Sequence, residues 1–411
     1  MTPFQTIALL LTFVAIGGYL NHKYFRLPAT IGHMTFALIL SLSALVLYKL
    51  GLFDITPVQT AVGHINFSEV LLHGMLSFLL FAGALQISLD DLKSVGAPVA
   101  VLATAGVFMA TLITGALVWL GAHWLGIGLP YIYALLFGAL ISPTDPIAVL
   151  AIMKDAGLSK KLYTKIGSES LFNDGVGVVI FLTILGIANG EQKLDPQAIA
   201  VLLAQKSLGG LALGFFLGWV TESLLRRLND YKVEVLLTLA LVTGGYTLAE
   251  FLHVSAPICM VAAGLTVGND KPKNGGKRGQ DRERVDLFWE LLDEIFNAVL
   301  FMLVGLELIV IDITRQHLLL GGIAIAAVLF ARTVSVSIPI GLMSLKQTFE
   351  KGTIPLLVWG GLRGGLSIAM ALSLPDGQEK GIILPVTYVV VLFSILVQGL
   401  SFKKLMIFFT E

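Results

Sequence analysis

Charged residues are scarce in this 411-residue chain: Asp, Glu, Lys and Arg make up 13%, against 56% hydrophobic residues. A soluble globular protein averages about 25% charged residues, so a soluble domain with a full polar surface is excluded. The 27 lysines and arginines equal the 27 acidic residues, and no nucleic-acid partner is expected. Because Cys259 is the one cysteine, an intrachain disulfide framework and a cysteine metal cluster are also excluded.

The sequence also lacks the features of a cleaved signal peptide. The apolar stretch at 4–20 has no basic residue before it and no small-x-small cleavage site after it, and Lys23 and Arg26 follow it. These features are typical of a retained first membrane span whose N-terminus lies outside.

What the chain has instead is a series of apolar stretches, many near the 20 residues that cross a bilayer core. Charged, glycine and proline interruptions separate them, and they predict an all-α polytopic protein with one transmembrane domain over 1–411. The thirteen candidate spans lie at 4–20, 29–49, 68–88, 97–121, 130–152, 166–188, 198–225, 233–250, 254–268, 288–309, 317–343, 353–374 and 381–402.

The distribution of basic residues predicts the orientation. If the connection after the first span is cytoplasmic, the cytoplasmic connections hold 20 lysines and arginines and the opposite ones hold five. By the positive-inside rule, this predicts a multi-pass protein of the inner (plasma) membrane with its C-terminus in the cytoplasm. The basic, glycine-rich connection 269–287 is predicted to be a solvated cytoplasmic loop, with binding of anionic lipid or regulation as the alternatives.

Five ionisable residues fall well inside these spans: Asp145, Glu169, Asp174, Arg332 and Arg363. Each costs about 2.5–3.5 kcal/mol at a helix centre, so each needs a partner or a function. Structural ion pairs between helices are one explanation, and an ion or proton pathway is the other.

The depth of these residues predicts how they divide. At a rise of 1.5 Å per residue, Asp174 and Asp145 lie about 12 and 10 Å from the same side and can share one site. Arg332 reaches roughly the depth of Glu169, and we expect these two to form a structural ion pair. Asp145 and Asp174 are then left without a cation, and adjacent carboxylates in a low dielectric require a proton or a metal cation.

The fifth and twelfth spans are both interrupted. At 142–146 (Ser-Pro-Thr-Asp-Pro) two prolines remove backbone donors around Thr144 and Asp145, and freed carbonyls must face protein or a water-filled cavity. The run 359–365 (Trp-Gly-Gly-Leu-Arg-Gly-Gly) places Arg363 in a second interruption, where it can offset nearby negative charge. Antiparallel spans broken in this way are typical of inverted-repeat transporters. A proline kink and close glycine packing are the alternatives.

These residues match a specific family pattern. The run Gly-Ser-Glu-Ser-Leu-Phe-Asn-Asp-Gly at 167–175, preceded by the proline-bracketed run at 142–146, resembles the NhaP-like branch of the monovalent cation–proton antiporters. The resemblance continues through Asn297, the stretch 301–307, Arg332 and the stretch 360–371, and so covers nearly the whole chain.

The resemblance implies a homodimer of thirteen-helix subunits in which a core bundle, mainly 97–188 and 317–402, moves against a dimerisation scaffold. It implies that Asp174 is the main ion- and proton-binding acid. Asn173 stands where electrogenic relatives carry a second aspartate, which implies exchange of one sodium for one proton. The implied sodium ligands are Asp174, Asp145, Ser170 and the Thr144 backbone, supported by Asn173, Glu169, Arg332 and Arg363.

One position departs from the family pattern. Some members carry a glutamate in the third span, where this chain has Ala82 in the run Phe-Ala-Gly-Ala-Leu at 81–85. The coordination shell therefore has one acid fewer than in those members, and the choice of sodium over potassium stays open.

The predicted function is secondary active transport without enzymatic chemistry or a cofactor: sodium or lithium competes with protons for the acid pair, and alternating access exposes the pair to each side. Potassium–proton exchange is the close alternative. An intramembrane aspartyl protease using Asp145 and Asp174 is disfavoured, because the glycine-flanked aspartate motif is absent. A passive channel is disfavoured because no repeated pore ring is apparent.

Overall fold

The computed structural model describes residues 3–52, 54, 67–155, 160–190, 195–228, 230–269 and 277–410. Over these residues the chain is helical. The first eight helices are α1 Pro3–Leu20, α2 Ala29–Lys49, α3 Phe67–Leu85, α4 Leu89–Trp124, α5 Tyr131–Ile141, α6 Ile147–Asp155, α7 Lys160–Ala188 and α8 Pro196–Leu225. The other seven are α9 Tyr231–Phe251, α10 Ala256–Gly268, α11 Lys277–Glu307, α12 Arg315–Met343, α13 Thr353–Trp359, α14 Gly365–Leu372 and α15 Gln378–Phe409.

Eight of the described helices have the length and hydropathy of membrane-spanning segments: α2, α3, α4, α7, α8, α9, α12 and α15. An all-α architecture with several helices able to span a membrane is therefore present, while the count of thirteen crossings stays a prediction. Local π-helical turns widen α3 at Val70–Met75, α4 at Leu102–Gly106 and α15 at Ser394–Gly399.

Side-chain caps set where several helices begin. Asp195, Asp230 and Ser255 accept hydrogen bonds from backbone N–H groups in the first turns of α8, α9 and α10. At α12, Thr314 and His317 form a reciprocal capping box. These caps satisfy backbone donors that have no partner within the helix, so each short connection ends at a defined residue.

The helices pack in two groups. One contains α4, α5, α6, α7, α12, α13, α14 and α15, and the other contains α1, α2, α3, α8, α9, α10 and α11. Helices α8 and α10 approach closely within the second group, where a Cβ on Gly214 would overlap the carbonyl oxygen of Cys259. Small residues allow this contact, which drives helix association in a bilayer by van der Waals packing.

Helix α11 begins at Lys277, inside the connection that was predicted to be a loop over 269–287. The face carrying Arg282, Val285 and Trp289 is buried, and Arg282 donates a 2.8 Å hydrogen bond to the carbonyl oxygen of Val267 at the end of α10. Tertiary packing therefore favours the helix in a segment whose composition favours a loop. The first part of the predicted loop, 270–276, lies outside the described residues.

Candidate ion-binding site

The two broken spans meet where each is interrupted. Helix α5 ends at Ile141 and α6 begins at Ile147, while α13 ends at Trp359 and α14 begins at Gly365. Between them, the backbone N–H of Asp145 donates a 2.8 Å hydrogen bond to the carbonyl oxygen of Leu362. The extended segments thus satisfy part of each other's backbone, as burial in a bilayer requires.

The segment around Thr144 is held by helix α7. The Thr144 N–H donates to the side-chain oxygen of Asn173 at 3.0 Å, and the Thr144 hydroxyl lies 2.9 Å from the Ser170 hydroxyl. Asn173 also donates to the Thr144 hydroxyl oxygen at 2.8 Å. These three polar side chains are almost fully buried, so the network fixes the break in α5/α6 against the middle of α7.

Glu169 and Arg332 form the ion pair that their depths predict. Both guanidinium Nη atoms donate to the carboxylate, at 2.8 and 2.9 Å, and Arg332 also donates to the carbonyl oxygen of Leu357. Asn173 donates a further 2.9 Å hydrogen bond to Glu169. The bidentate geometry and the additional bonds satisfy a buried charge pair that would otherwise be costly.

Asp145 and Asp174 differ from Glu169 in having no cationic partner among the described residues. The Asp145 carboxylate accepts a 3.0 Å hydrogen bond from the backbone of Ile147, while Asp174 makes no hydrogen bond within the described part of the chain. Asp145 acts electrostatically on Asp174, and both side chains are only partly buried. The structure therefore brings together two accessible acids that need a proton or a cation.

Gly364 makes the room for the Asp145 carboxylate. A Cβ on Gly364 would overlap the Asp145 Oδ2 atom and lie 2.8 Å from its Cγ. The backbone of Gly364 is extended, with φ −116° and ψ −161°, a conformation open to other residues. The glycine is therefore required by space and not by backbone strain.

Arg363 is buried, with 2% of its surface exposed, at the break between α13 and α14. Its N–H donates to the Ser394 hydroxyl at 2.8 Å, its guanidinium donates to the Gly361 carbonyl, and its Nε has no partner in the described structure. The charges that act on it are those of Arg332 and Glu169. Arg363 thus belongs to the electrostatic environment of the Glu169–Arg332 pair.

Some residues near the site were not predicted. Ser394 and Gln398, on the π-helical turn of α15, accept from Arg363 and donate to the carbonyl oxygen of Trp359 respectively. The sequence signal that could have identified Ser394 and Gln398 is that both are polar residues inside an apolar span. Asp293 on α11 accepts a hydrogen bond from Asn297 at 3.1 Å, and Asp145 acts on it electrostatically.

The position of the missing family glutamate is apolar. Ala82 on α3 is 1% exposed and belongs to the hydrophobic core. The adjacent Phe81 ring lies 4.7 Å from Trp289 of α11. The described structure therefore shows packed apolar side chains around Ala82.

Comparison with known proteins gives concordant matches. Residues 9–408 match the family model described as sodium/hydrogen exchanger, transmembrane. The chain is 48% identical to the Na(+)/H(+) antiporter NhaP of Pseudomonas aeruginosa over 94% of this chain and 92% of that protein. It is 37% identical to NhaH of Halobacillus aidingensis over 86% and 87%. The sodium proton antiporter MjNhaP1 of Methanocaldococcus jannaschii has the same fold, with a TM-score of 0.77, 19% identity and coverage of 100% and 99%.

Proposed function

Because this chain belongs to the sodium/hydrogen exchanger family, we propose that it is a sodium–proton antiporter that binds its ion at Asp174 and Asp145. The observation that carries the assignment is the pair of partly exposed carboxylates without a cationic partner among the described residues. Glu169, in contrast, is already neutralised by Arg332. Sodium and lithium are substrates here, and no cofactor is required.

Exchange follows from competition at the acid pair. Either Asp174 carries a proton, or Asp174 and Asp145 together hold a sodium ion, with Ser170 and the Thr144 backbone completing the ligand set. The empty, doubly charged site is the costly state in a low dielectric. Movement of the protein between its two orientations is therefore favoured only when the site is loaded.

The two packing groups supply the moving parts. The group of α4–α7 and α12–α15 contains the broken spans and the acid pair, and it moves as the core bundle against the group of α1–α3 and α8–α11. Alternating access of this kind exposes one fixed site to either side. The second group forms the interface of a homodimer in the inner membrane.

Electroneutral exchange, one sodium for one proton, is the stoichiometry that Asn173 favours, because an amide there adds no further titrating charge. An imposed membrane potential should leave the exchange rate unchanged. A rate that depends strongly on the potential would contradict this stoichiometry.

Potassium–proton exchange is the second candidate, and the observation that favours it is Ala82. With no carboxylate on α3 at this position, the site offers fewer charged ligands, so water takes a larger share of the coordination. Potassium, which is larger and more easily dehydrated, then competes better with sodium for the acid pair.

The deciding experiment is cation-induced dequenching of a pH-gradient dye in proteoliposomes that contain the purified protein. Sodium, lithium and potassium are added separately at equal ionic strength. Dequenching by sodium and lithium is expected, with potassium much weaker. Dequenching by potassium alone would replace sodium exchange by potassium exchange, and no response to any cation would overturn the antiporter assignment.

A further inference from the structure

Glu307, the last residue of α11, carries a buried carboxylate that the proposed exchange mechanism does not use. A cavity of about 760 Å³ opens there, lined by Glu307, Asp312, Asp376, Lys380 and Leu384 among others. These residues flank the connections 310–314 and 373–377. The distribution of basic residues predicts that both connections lie on the external side of the membrane. The cavity is therefore on the external side in the predicted topology.

Glu307 lies at the buried edge of this cavity. Its side chain belongs to the last residue of α11 and is 9% exposed. It forms no hydrogen bond or ion pair with any described residue, although buried acidic groups normally have such partners. Burial without a partner is costly for a carboxylate, so a stable Glu307 must take up a proton or a cation.

Lys380 acts electrostatically on Glu307, but its ammonium group is already paired with another carboxylate. Lys380 lies 2.8 Å from Asp376, and the hydrogen bond and charge of Lys380 hold the pKa of the Asp376 carboxyl below its usual value. Asp312 is exposed at the same cavity. A cavity with more carboxylates than basic groups raises the local concentration of cations.

Glu307 also lies on the face of α11 that contacts the core bundle. Asn297, Leu300, Val304 and Glu307 follow at helical spacing along one face. A Cβ on Gly365 would lie 2.6 Å from Leu300 Cγ, and the Val304 carbonyl oxygen accepts a 3.0 Å hydrogen bond from Tyr388. Glu307 is about 15 Å along the helix from Asn297. Asn297 donates a hydrogen bond to Asp293, on which Asp145 acts electrostatically.

From these contacts we infer that Glu307 is an external relay for the transported monovalent cation. The carboxylate binds the cation at the floor of the external cavity and exchanges it with Asp174 and Asp145 when the core bundle faces outward. Leu300, packed on the start of α14, lies between Glu307 and Asn297 along α11. The inference rests on the proposed antiport function and adds a binding site to it.

The test compares sodium affinity on the two sides of the membrane. Exchange is measured in right-side-out and in everted vesicles containing wild type or Glu307→Gln. The variant should raise the half-saturating sodium concentration about tenfold in right-side-out vesicles, the typical effect of losing one charged ligand. In everted vesicles the change should stay below about twofold, because the cytoplasmic path does not include Glu307.

Asp312→Asn is the matched control, since it removes one negative charge from the same cavity at an exposed position. Its effect should be small and should disappear at high ionic strength, because exposed charges are screened. Equal effects of the two variants, an unchanged external affinity of Glu307→Gln, or the same change in both vesicle orientations would each overturn the relay.

Should Glu307→Gln fail to reach the membrane in folded form, Glu307→Asp keeps the carboxylate and moves it by one methylene. An external half-saturating sodium concentration above that of wild type, with the cytoplasmic value unchanged, supports the relay; a wild-type value on both sides overturns it. If wild type itself shows no cation-dependent exchange, the antiport function fails. If wild type is active and the Glu307 variants are unchanged, the relay alone fails.

Discussion

The backbone N–H of Asp145 donates a hydrogen bond to the carbonyl oxygen of Leu362, so the residue proposed to bind the ion is held by the opposite broken span. The loop that accepts this bond is also the one that positions Arg363 and Gly364. A shift of either broken span relative to the other therefore moves Asp145. Under the proposed function, we therefore expect the breaks to influence ion affinity directly.

The space at Gly364 provides the first prediction. Gly364→Ala should lower transport at limiting sodium at least about tenfold, because the added Cβ displaces the Asp145 carboxylate and small displacements of a reactive group have large effects. Gly341→Ala is the control: Gly341 lies in α12 with no atom within 4 Å of an added Cβ. Sodium titrations of exchange in proteoliposomes compare them. Wild-type affinity in Gly364→Ala would contradict the tight contact.

The acid pair provides the second. Asp174→Asn and Asp145→Asn should each reduce exchange to the level of empty liposomes while leaving the protein folded, because a neutral amide cannot alternate between a proton and a sodium ion. Asp90→Asn, which removes an exposed partner of Lys93, should keep full exchange. Dye dequenching measures all three, and full residual exchange in Asp174→Asn would remove Asp174 from the site.

The Glu169–Arg332 pair provides the third. Glu169→Gln should lower the free energy of unfolding by about 3–5 kcal/mol, because it leaves the buried Arg332 charge without compensation. Lys93→Gln, which breaks a pair whose side chains are 77% and 90% exposed, should leave the stability almost unchanged, because exposed ion pairs are screened by solvent. Thermal unfolding in detergent and expression yield compare the two. A Glu169→Gln protein of normal stability but without transport would give Glu169 a direct role in exchange.

Asn173 provides the fourth. Its amide nitrogen donates to both Glu169 and the Thr144 hydroxyl, and a carboxylate cannot donate either bond. Asn173→Asp should therefore lower the unfolding temperature and the exchange rate and should not produce electrogenic exchange. Asn173→Ala is the comparison, since it loses the bonds without adding a charge and should be less destabilised. Stable, potential-dependent exchange by Asn173→Asp would contradict this expectation.

Much of the site was predictable because its polar and charged residues stand out from the apolar spans that contain them. A charged residue in an apolar span, or a proline pair next to an aspartate, can be recognised from the local sequence without knowledge of the fold. The pairing of Glu169 with Arg332 followed from their depths, although they lie 163 residues apart. The order of the polar motifs along the chain also predicted the family.

The surroundings of those residues were not predictable in the same way. Arg363 was expected to offset the acids and negative helix ends at its break, and the acid on which its charge acts is Glu169, which Arg332 also neutralises. The segment from Lys277 was expected to be a loop, and packing of Val285 and Trp289 makes it helical. Both outcomes depend on which helix packs against the residue, and the local composition of the sequence does not specify this.

By itself, the sequence determined that this chain resides in a membrane, where it breaks its helices and which acids it must accommodate, because hydropathy and backbone chemistry act locally along the chain. The tertiary structure confirmed that Glu169 is the neutralised acid. Only the tertiary structure decided that Asp145 and Asp174 stay partly exposed, and that Glu307 lies at a cavity with no side-chain hydrogen bond or ion pair among the described residues. Those outcomes depend on contacts between distant helices, where a few ångströms decide whether a charge meets a partner.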